Sequence, residues 1–169
     1  PVTYEVGDIR FGGVIVSIED NGYHGRIAVE PNYYSGGMFW SSDLSNTNSY
    51  DPENTSPHSQ DFDGRNNTQK IIDFYSEISE TSFCADYAAN LNVNGYDDWY
   101  IPTLQEISIM ELVINIEGIA VWSCIEAGAD QVWTHYWAGG HSHSNVFKQN
   151  TSPGPGSGPA PITIPLRRF

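Results

Sequence analysis

Basic residues are scarce in this sequence. Its 169 residues carry 7 Lys or Arg against 21 Asp or Glu, a formal charge of −14. A field of that sign repels phosphate backbones and anionic membrane surfaces, because both are bound through clustered Lys and Arg. Nucleic acid is therefore excluded as a partner. Membrane insertion is excluded by a second absence, since no apolar run approaches the roughly 20 residues that span a bilayer. Cysteine is nearly missing as well. Cys84 and Cys124 are too few for a disulfide scaffold and the wrong number for a structural zinc site, and both a single bridge and two separate buried thiols remain open. No signal peptide is recognisable. The chain opens on Pro1 without a Met, so a processed protein or a piece of a longer one is expected.

What is present is the composition of a folding chain, 39% hydrophobic and 13% aromatic, of a length that fits a single domain over residues 1–169. Abundant Asn, Ser, Thr, Gly and Tyr beside few Lys is the look of a protein displayed outside cells or on a virion surface. The acidity suits divalent cations, neutral glycans or basic partners, and equally serves plain solubility. Sequons at Asn54, Asn66 and Asn150 occur in so Asn-rich a chain that chance accounts for them.

Along the chain, Val14–Ile18 and Arg26–Val29 flank Asn21-Gly22 and read as a hairpin. Residues 31–65 read as a long ordered loop anchored by Phe39-Trp40. Ile71, Phe74, Tyr75 and Ile78 fall on one helical face, with Asn67 or Thr68 as the cap. Phe83, Tyr87 and Leu91 mark a second helix ended by Asn94-Gly95, and Thr103-Leu104-Gln105-Glu106 is a capping box opening a third that runs to about Glu117. Strands follow at 120–124, 132–138, 145–148 and 162–166, the last preceded by the Gly/Pro-rich loop 152–161. Strands, then three helices, then strands predict an α+β fold with an antiparallel sheet, about three helices and long loops.

Several segments in order resemble the Lcl C-terminal domain family, named for a collagen-like bacterial adhesin. They are Gly7-Asp8-Ile9, Gly12–Val16, Gly22–Ala28 and Gly64–Ile71, then Asn94-Gly95-Tyr96-Asp97-Asp98-Trp99-Tyr100-Ile101-Pro102-Thr103-Leu104-Gln105-Glu106, close to the family's hallmark "nGydDWyLPskdEL". Pro165-Leu166-Arg167-Arg168-Phe169 resembles its terminal "vRaVRaF". The chain departs from the pattern where Tyr136-Trp137-Ala138-Gly139 replaces Tyr-Trp-Ser-Ser, and residues 120–134 look like extra sequence. The resemblance implies a compact C-type-lectin-like domain whose terminal strand closes the sheet beside Val14–Ile18, with a guanidinium paired to a nearby carboxylate. It also implies a recognition or adhesion domain on a bacterial surface protein or phage tail, trimeric through its parent protein, whose partner is a cell-surface glycan or protein receptor. The rival expectation is a decoration domain of a virion or surface assembly that touches only sister subunits.

The candidate sites follow from residue types. Trp99, Pro102, Thr103 and Glu106 read as structural: a core ring, a forced extended entry and a helix start. Asp61-Phe62-Asp63-Gly64-Arg65-Asn66 is half of a calcium loop, with Asp61, Asp63 and Asn66 as its oxygen donors, or else a turn leading into a helix. His141 and His143 alternate in an extended segment with His135 just upstream, a pair able to share a transition metal or to sit on a solvated surface. Calcium and a transition metal are thus the candidate cofactors. Glu30-Pro31-Asn32 spells a lectin tripeptide by coincidence, lacking the Trp-Asn-Asp that accompanies it. The loop-borne aromatics Tyr33, Tyr34, Phe39, Trp133 and Tyr136 are the candidate ligand contacts, with Trp40 and Trp137 divided between surface and core. No Ser-His-Asp or Cys-His set can be assembled, and no enzyme is expected.

Overall fold

The computed structural model describes residues 4–42, 63–128, 130–137, 141–149 and 160–169, with Trp137, His141 and Ser142 described in backbone only. Asp61, the sequons at Asn54 and Asn150, and nearly all of the Gly/Pro-rich tract lie outside these residues.

The amino-terminal apolar segments form an antiparallel meander of β1 (Ile9–Arg10), β2 (Gly13–Glu19) and β3 (His24–Val29), with Asn21 and Gly22 both at positive φ in the connection. Asn and Gly take that conformation at little cost. β3 is buried from Gly25 to Val29, as expected for a strand with a neighbour on each edge. Its second neighbour is β7 (Leu166–Arg168), paired antiparallel through Arg26↔Arg168, Ile27↔Arg167 and Ala28↔Leu166. The sheet order is β1-β2-β3-β7. This corrects the expectation that the terminal strand lies beside Val14–Ile18. The outer edge of β2 is already taken by β1 through Ile9↔Val14, so β3 offers the open ladder. A Cβ at Gly25 would lie 2.2 Å from the Ser17 carbonyl oxygen and 2.6 Å from the Phe169 ring, so the last side chain of the chain packs directly on the β3 backbone.

Three helices follow: α1 (Gly64–Glu77), α2 (Phe83–Ala89) and α3 (Leu104–Met110). α1 begins earlier than Asn67 or Thr68. Asp63 is its cap, accepting the Asn66 N–H at 2.9 Å, while the Thr68 hydroxyl donates to the Gly64 carbonyl at 2.7 Å and accepts the Ile101 N–H at 2.9 Å. α2 stops well before Asn94-Gly95, which instead turn the chain between the paired Val93 and Tyr96. α3 has the expected capping box, yet it ends at Met110 and not near Glu117. β-branched Val113 and Ile114 are weak helix formers and are drawn onto the apolar cluster around Ile15 and Ile27, and the chain tightens through Leu112→Ile109 and Val113→Met110 bonds.

A second antiparallel sheet, in the order β4-β5-β6, is built from β4 (Ala120–Glu126), β5 (Gln131–Trp137) and β6 (His141–Phe147). The fold is therefore α+β, with two antiparallel sheets and three helices among the described residues. None of these helices is long and apolar enough to cross a membrane.

Two apolar clusters result. One surrounds Ile15, Ile27, Trp99, Tyr100, Ile107 and Leu166; the other surrounds Trp40, Tyr75, Trp122, Cys124 and Val132. The carboxy-terminal segment stitches them together. Ile162 exchanges hydrogen bonds with Ala120 and Trp122 of β4, Thr163 accepts from Ser35, and Leu166, the first residue of β7, exchanges a pair with Tyr100 at 2.8 and 2.9 Å. Termini are usually loose unless tied into structure, and this one is tied at every step.

Two outcomes follow. Trp99 is 3% exposed and its indole N–H reaches the Tyr96 carbonyl at 2.9 Å. Trp99→Ala is expected to cost about 3–5 kcal/mol, as large core aromatics do, measured by urea unfolding. Deleting residues 162–169 strips the β3 edge and the β4 partner together, and the product should be insoluble or melt without cooperativity in calorimetry.

Candidate functional site

Several of the segments that carry the family resemblance meet around one carboxylate. Glu106 is fully buried at the start of α3. Its Oε2 accepts the Thr103 N–H at 3.0 Å, and its Oε1 accepts from Arg26 Nε of β3 at 3.1 Å and from the Tyr100 hydroxyl at 3.0 Å. Arg168 Nη2 of β7 lies 3.7 Å from the same oxygen. Burial, and next the Glu106 charge, raise the Tyr100 pKa far above its ordinary value, so the phenol stays protonated and donates. A Cβ at Gly64 would stand 2.5 Å from Glu106 Oε2 and 2.6 Å from the Ile101 carbonyl, so only Gly lets α1 start here. Beside this centre, Asp98 takes two bonds from Arg167, Nε at 2.6 Å and Nη2 at 3.2 Å, and the guanidinium lies 4.2 Å over the Tyr96 ring. The Asp-Trp…Glu segment and the terminal Arg pair are thus partners of one another, and the cluster holds the fold.

The candidate ligand aromatics are spread over different parts of the molecule. Tyr33 and Tyr34 are half-buried against the first core, the Tyr33 carbonyl accepts the Tyr87 hydroxyl at 2.5 Å, and burial pushes the Tyr34 pKa up to about 12. Phe39 is 39% exposed and leans on Phe83 with ring centres 6.3 Å apart. Trp40 is wholly buried, and its indole N–H donates to the Ser123 carbonyl at 2.9 Å. Trp133 and Tyr136 share β5 but sit an odd number of residues apart and so point to opposite faces. In register, Trp133 faces Asn145 of β6, and one step away the Asn145 amide donates to Gln131 at 2.9 Å. Trp133 is half-buried against the second core, with exposed Asn145 beside it. An aromatic ring flanked by two carboxamides is a surface able to stack on a planar or ring-shaped ligand and hydrogen-bond its polar edge.

Of the candidate cation ligands, Asp63 is occupied as the α1 cap and Asn66 donates its backbone N–H to it, which is the turn-into-helix arrangement. His143 stands opposite His135, with Nε2 3.0 Å from its Nδ1, and the His141 side chain lies outside the described residues.

Sequence reasoning missed two buried constellations. His135 Nε2 meets Glu111 Oε2 at 2.5 Å in the interior. The signal for the histidine pair was their equal spacing in sequence, four positions to either side of Gly139. The other is Lys148, fully buried in an ion pair with Glu126, 5.1 Å from the Trp40 ring centre and 3.4 Å from the Tyr75 hydroxyl. No local pattern announces a buried lysine one residue beyond the end of a strand. Cys84 and Cys124 are separate thiols in the second core, the first donating to the Phe39 carbonyl at 3.3 Å and the second accepting from Asn67 at 3.5 Å.

No family model matches the sequence, and no curated protein sequence matches it. The fold is similar to that of a fimbrial protein from Bacteroides ovatus ATCC 8483, known from a crystal structure, with a TM-score of 0.53 and 13% sequence identity. The likeness covers 86% of this chain and 36% of that one, so this chain spans about a third of the length of its neighbour.

Loss of the capping box alone would cost about 0.5–2 kcal/mol. Glu106→Ala also takes a carboxylate partner from buried Arg26, Glu19 being another among the described residues, and is expected to cost about 3–5 kcal/mol by chemical denaturation. Glu106→Gln, which keeps an acceptor and loses the charge, should fall between wild type and Ala. The thiols give a second outcome. Burial raises the Cys84 pKa from 9.0 to about 12 and that of Cys124 still further. A thiol reagent at pH 8 should label neither Cys until the protein unfolds. Because the folded pKa values are raised, this contribution to stability is complete below pH 9.0 and is lost as pH climbs through about 12, which a pH series of melting curves will display.

Proposed function

We propose that the domain is a recognition or adhesion module displayed outside the cell or on a virion, using the β5–β6 face around Trp133 to bind a cell-surface glycan or protein receptor. The observation that carries this reading is the placement of half-buried Trp133 beside exposed Asn145 and partly exposed Gln131, on a pair of strands anchored to the second core. A rigid ring with adjacent amides supplies contact area and hydrogen bonds at low entropic cost. The charge of −14 points to neutral or basic ligands, and calcium or a transition metal is its candidate cofactor. The likeness to a fimbrial protein and the resemblance to the Lcl C-terminal domain family both support a surface module, with a C-type-lectin-like fold and trimerisation through a parent protein belonging to the same proposal. The signature residues are spent on structure, and the proposal assigns no catalytic role to any residue.

The test is a glycan array together with binding to intact bacterial cells. Wild type should bind a defined subset of glycans or cells. Asn145→Ala, at an exposed position, should weaken binding about tenfold or more with an unchanged melting temperature, and Trp133→Ala should abolish it. Binding that survives both substitutions would move the site elsewhere, and no binding to any surface would favour a decoration domain.

A further inference from the structure

The β5–β6 register sets His135 directly opposite His143. Their ring centres are 5.0 Å apart with planes inclined at 56°, and His135 Nδ1 lies 3.0 Å from His143 Nε2. The other nitrogen of His135, Nε2, is held at 2.5 Å by Glu111, at the carboxyl end of α3. His135 and Glu111 are buried and His143 is half-buried, so the nitrogen pair sits just beneath the surface, reachable past one ring.

A carboxylate that accepts the Nε2 proton of a histidine fixes the tautomer whose Nδ1 carries the lone pair, the arrangement in which a metal-binding imidazole is normally oriented. Two imidazole nitrogens on one transition metal, each about 2.0–2.1 Å from it, stand about 2.9 Å apart when they subtend a right angle and about 3.3 Å apart at the tetrahedral angle. The observed 3.0 Å matches the right angle. The surrounding charge of −14 concentrates cations near the surface.

We propose that His135 Nδ1 and His143 Nε2 are cis ligands of a tetragonal transition metal, copper(II) or nickel(II), with Glu111 as the positioning residue for His135. His143 then carries its proton on Nδ1. Among the described residues no group of three or more His, Cys, Asp or Glu is arranged around one metal position, so the two imidazoles are the ligands that the described residues supply. β5 and β6 each supply one ligand, and Glu111, just past the end of α3, holds the His135 ring from its far nitrogen, which ties the metal to the second sheet. The proposal is independent of what the Trp133 surface binds.

The experiment is titration of tag-free, metal-stripped protein with copper(II), followed by calorimetry and by electron paramagnetic resonance at saturation. Wild type should take one copper(II) per chain, show hyperfine splitting from two imidazole nitrogens, and melt at a higher temperature when loaded. His143→Ala, at a half-buried position, should fold normally, lose the two-nitrogen signature and lose the metal-induced rise in melting temperature. Glu111→Gln should retain both nitrogens and weaken binding about 10–100-fold. Absence of saturable binding, or a copper spectrum and affinity unchanged by His143→Ala, would overturn the site. The pair would then be a direct hydrogen bond in which one imidazole donates to the other.

Discussion

A carboxylate cut off from water has to be neutralised and hydrogen-bonded where it stands, and Glu106 meets that requirement with groups from several parts of the chain. Thr103 supplies a backbone N–H, Tyr100 a hydroxyl, β3 the Arg26 guanidinium, and β7 brings Arg168 nearby. Each donor is worth little by itself, but in a low-dielectric interior a half-satisfied charge is far worse than none. The arrangement therefore forms as a unit. Helix α3 cannot start properly unless β3 is in place, and α1 cannot approach unless residue 64 lacks a side chain.

This dependence explains which parts of the fold were legible in the sequence. The β2–β3 hairpin, the capping box, the existence of three helices and the strands of the second sheet rest on local signals: an Asn-Gly turn, a Thr-x-x-Glu spacing, periodic apolar residues. The failures have a common cause in contacts distant along the chain. The partner of the terminal strand is decided by which edge β1 leaves open. The resemblance implied a guanidinium paired with a carboxylate, but that the partners are Asp98 and Arg167, separated by 69 positions, is decided only by the fold. Lys148 gives no sign of burial, because its partner Glu126 lies 22 positions away across the second sheet. The end of α3 was misplaced because β-branched residues can continue a helical pattern and yet be taken by tertiary packing.

The candidate site was legible in kind more than in place. Loop-borne aromatics suggested a recognition surface, but sequence left Trp40, drawn wholly into the second core, divided between surface and core, and did not pick out Trp133 on that core's margin from the other candidates. Likewise His143 was singled out in an alternating pair with His141, whereas hairpin register puts it against His135 and, through it, Glu111. The molecule thus separates two kinds of residue. Segments that carry the family resemblance gather around Glu106 and hold the first sheet to the helices, while the second sheet carries Trp133 with its two neighbouring amides and the buried His135 against His143.

Native-state amide hydrogen exchange tests the central claim, that the Glu106 cluster and the strands it joins open as one unit. The Tyr100 and Leu166 amides, which bond each other's carbonyls, and the Thr103 amide, which donates to Glu106, should exchange only through global unfolding, with the same free energy as the β2–β3 ladder. If those three amides instead exchange through a local opening several kcal/mol below the global value while β2 and β3 stay protected, the carboxylate is a peripheral ornament of the fold and the account built on it fails.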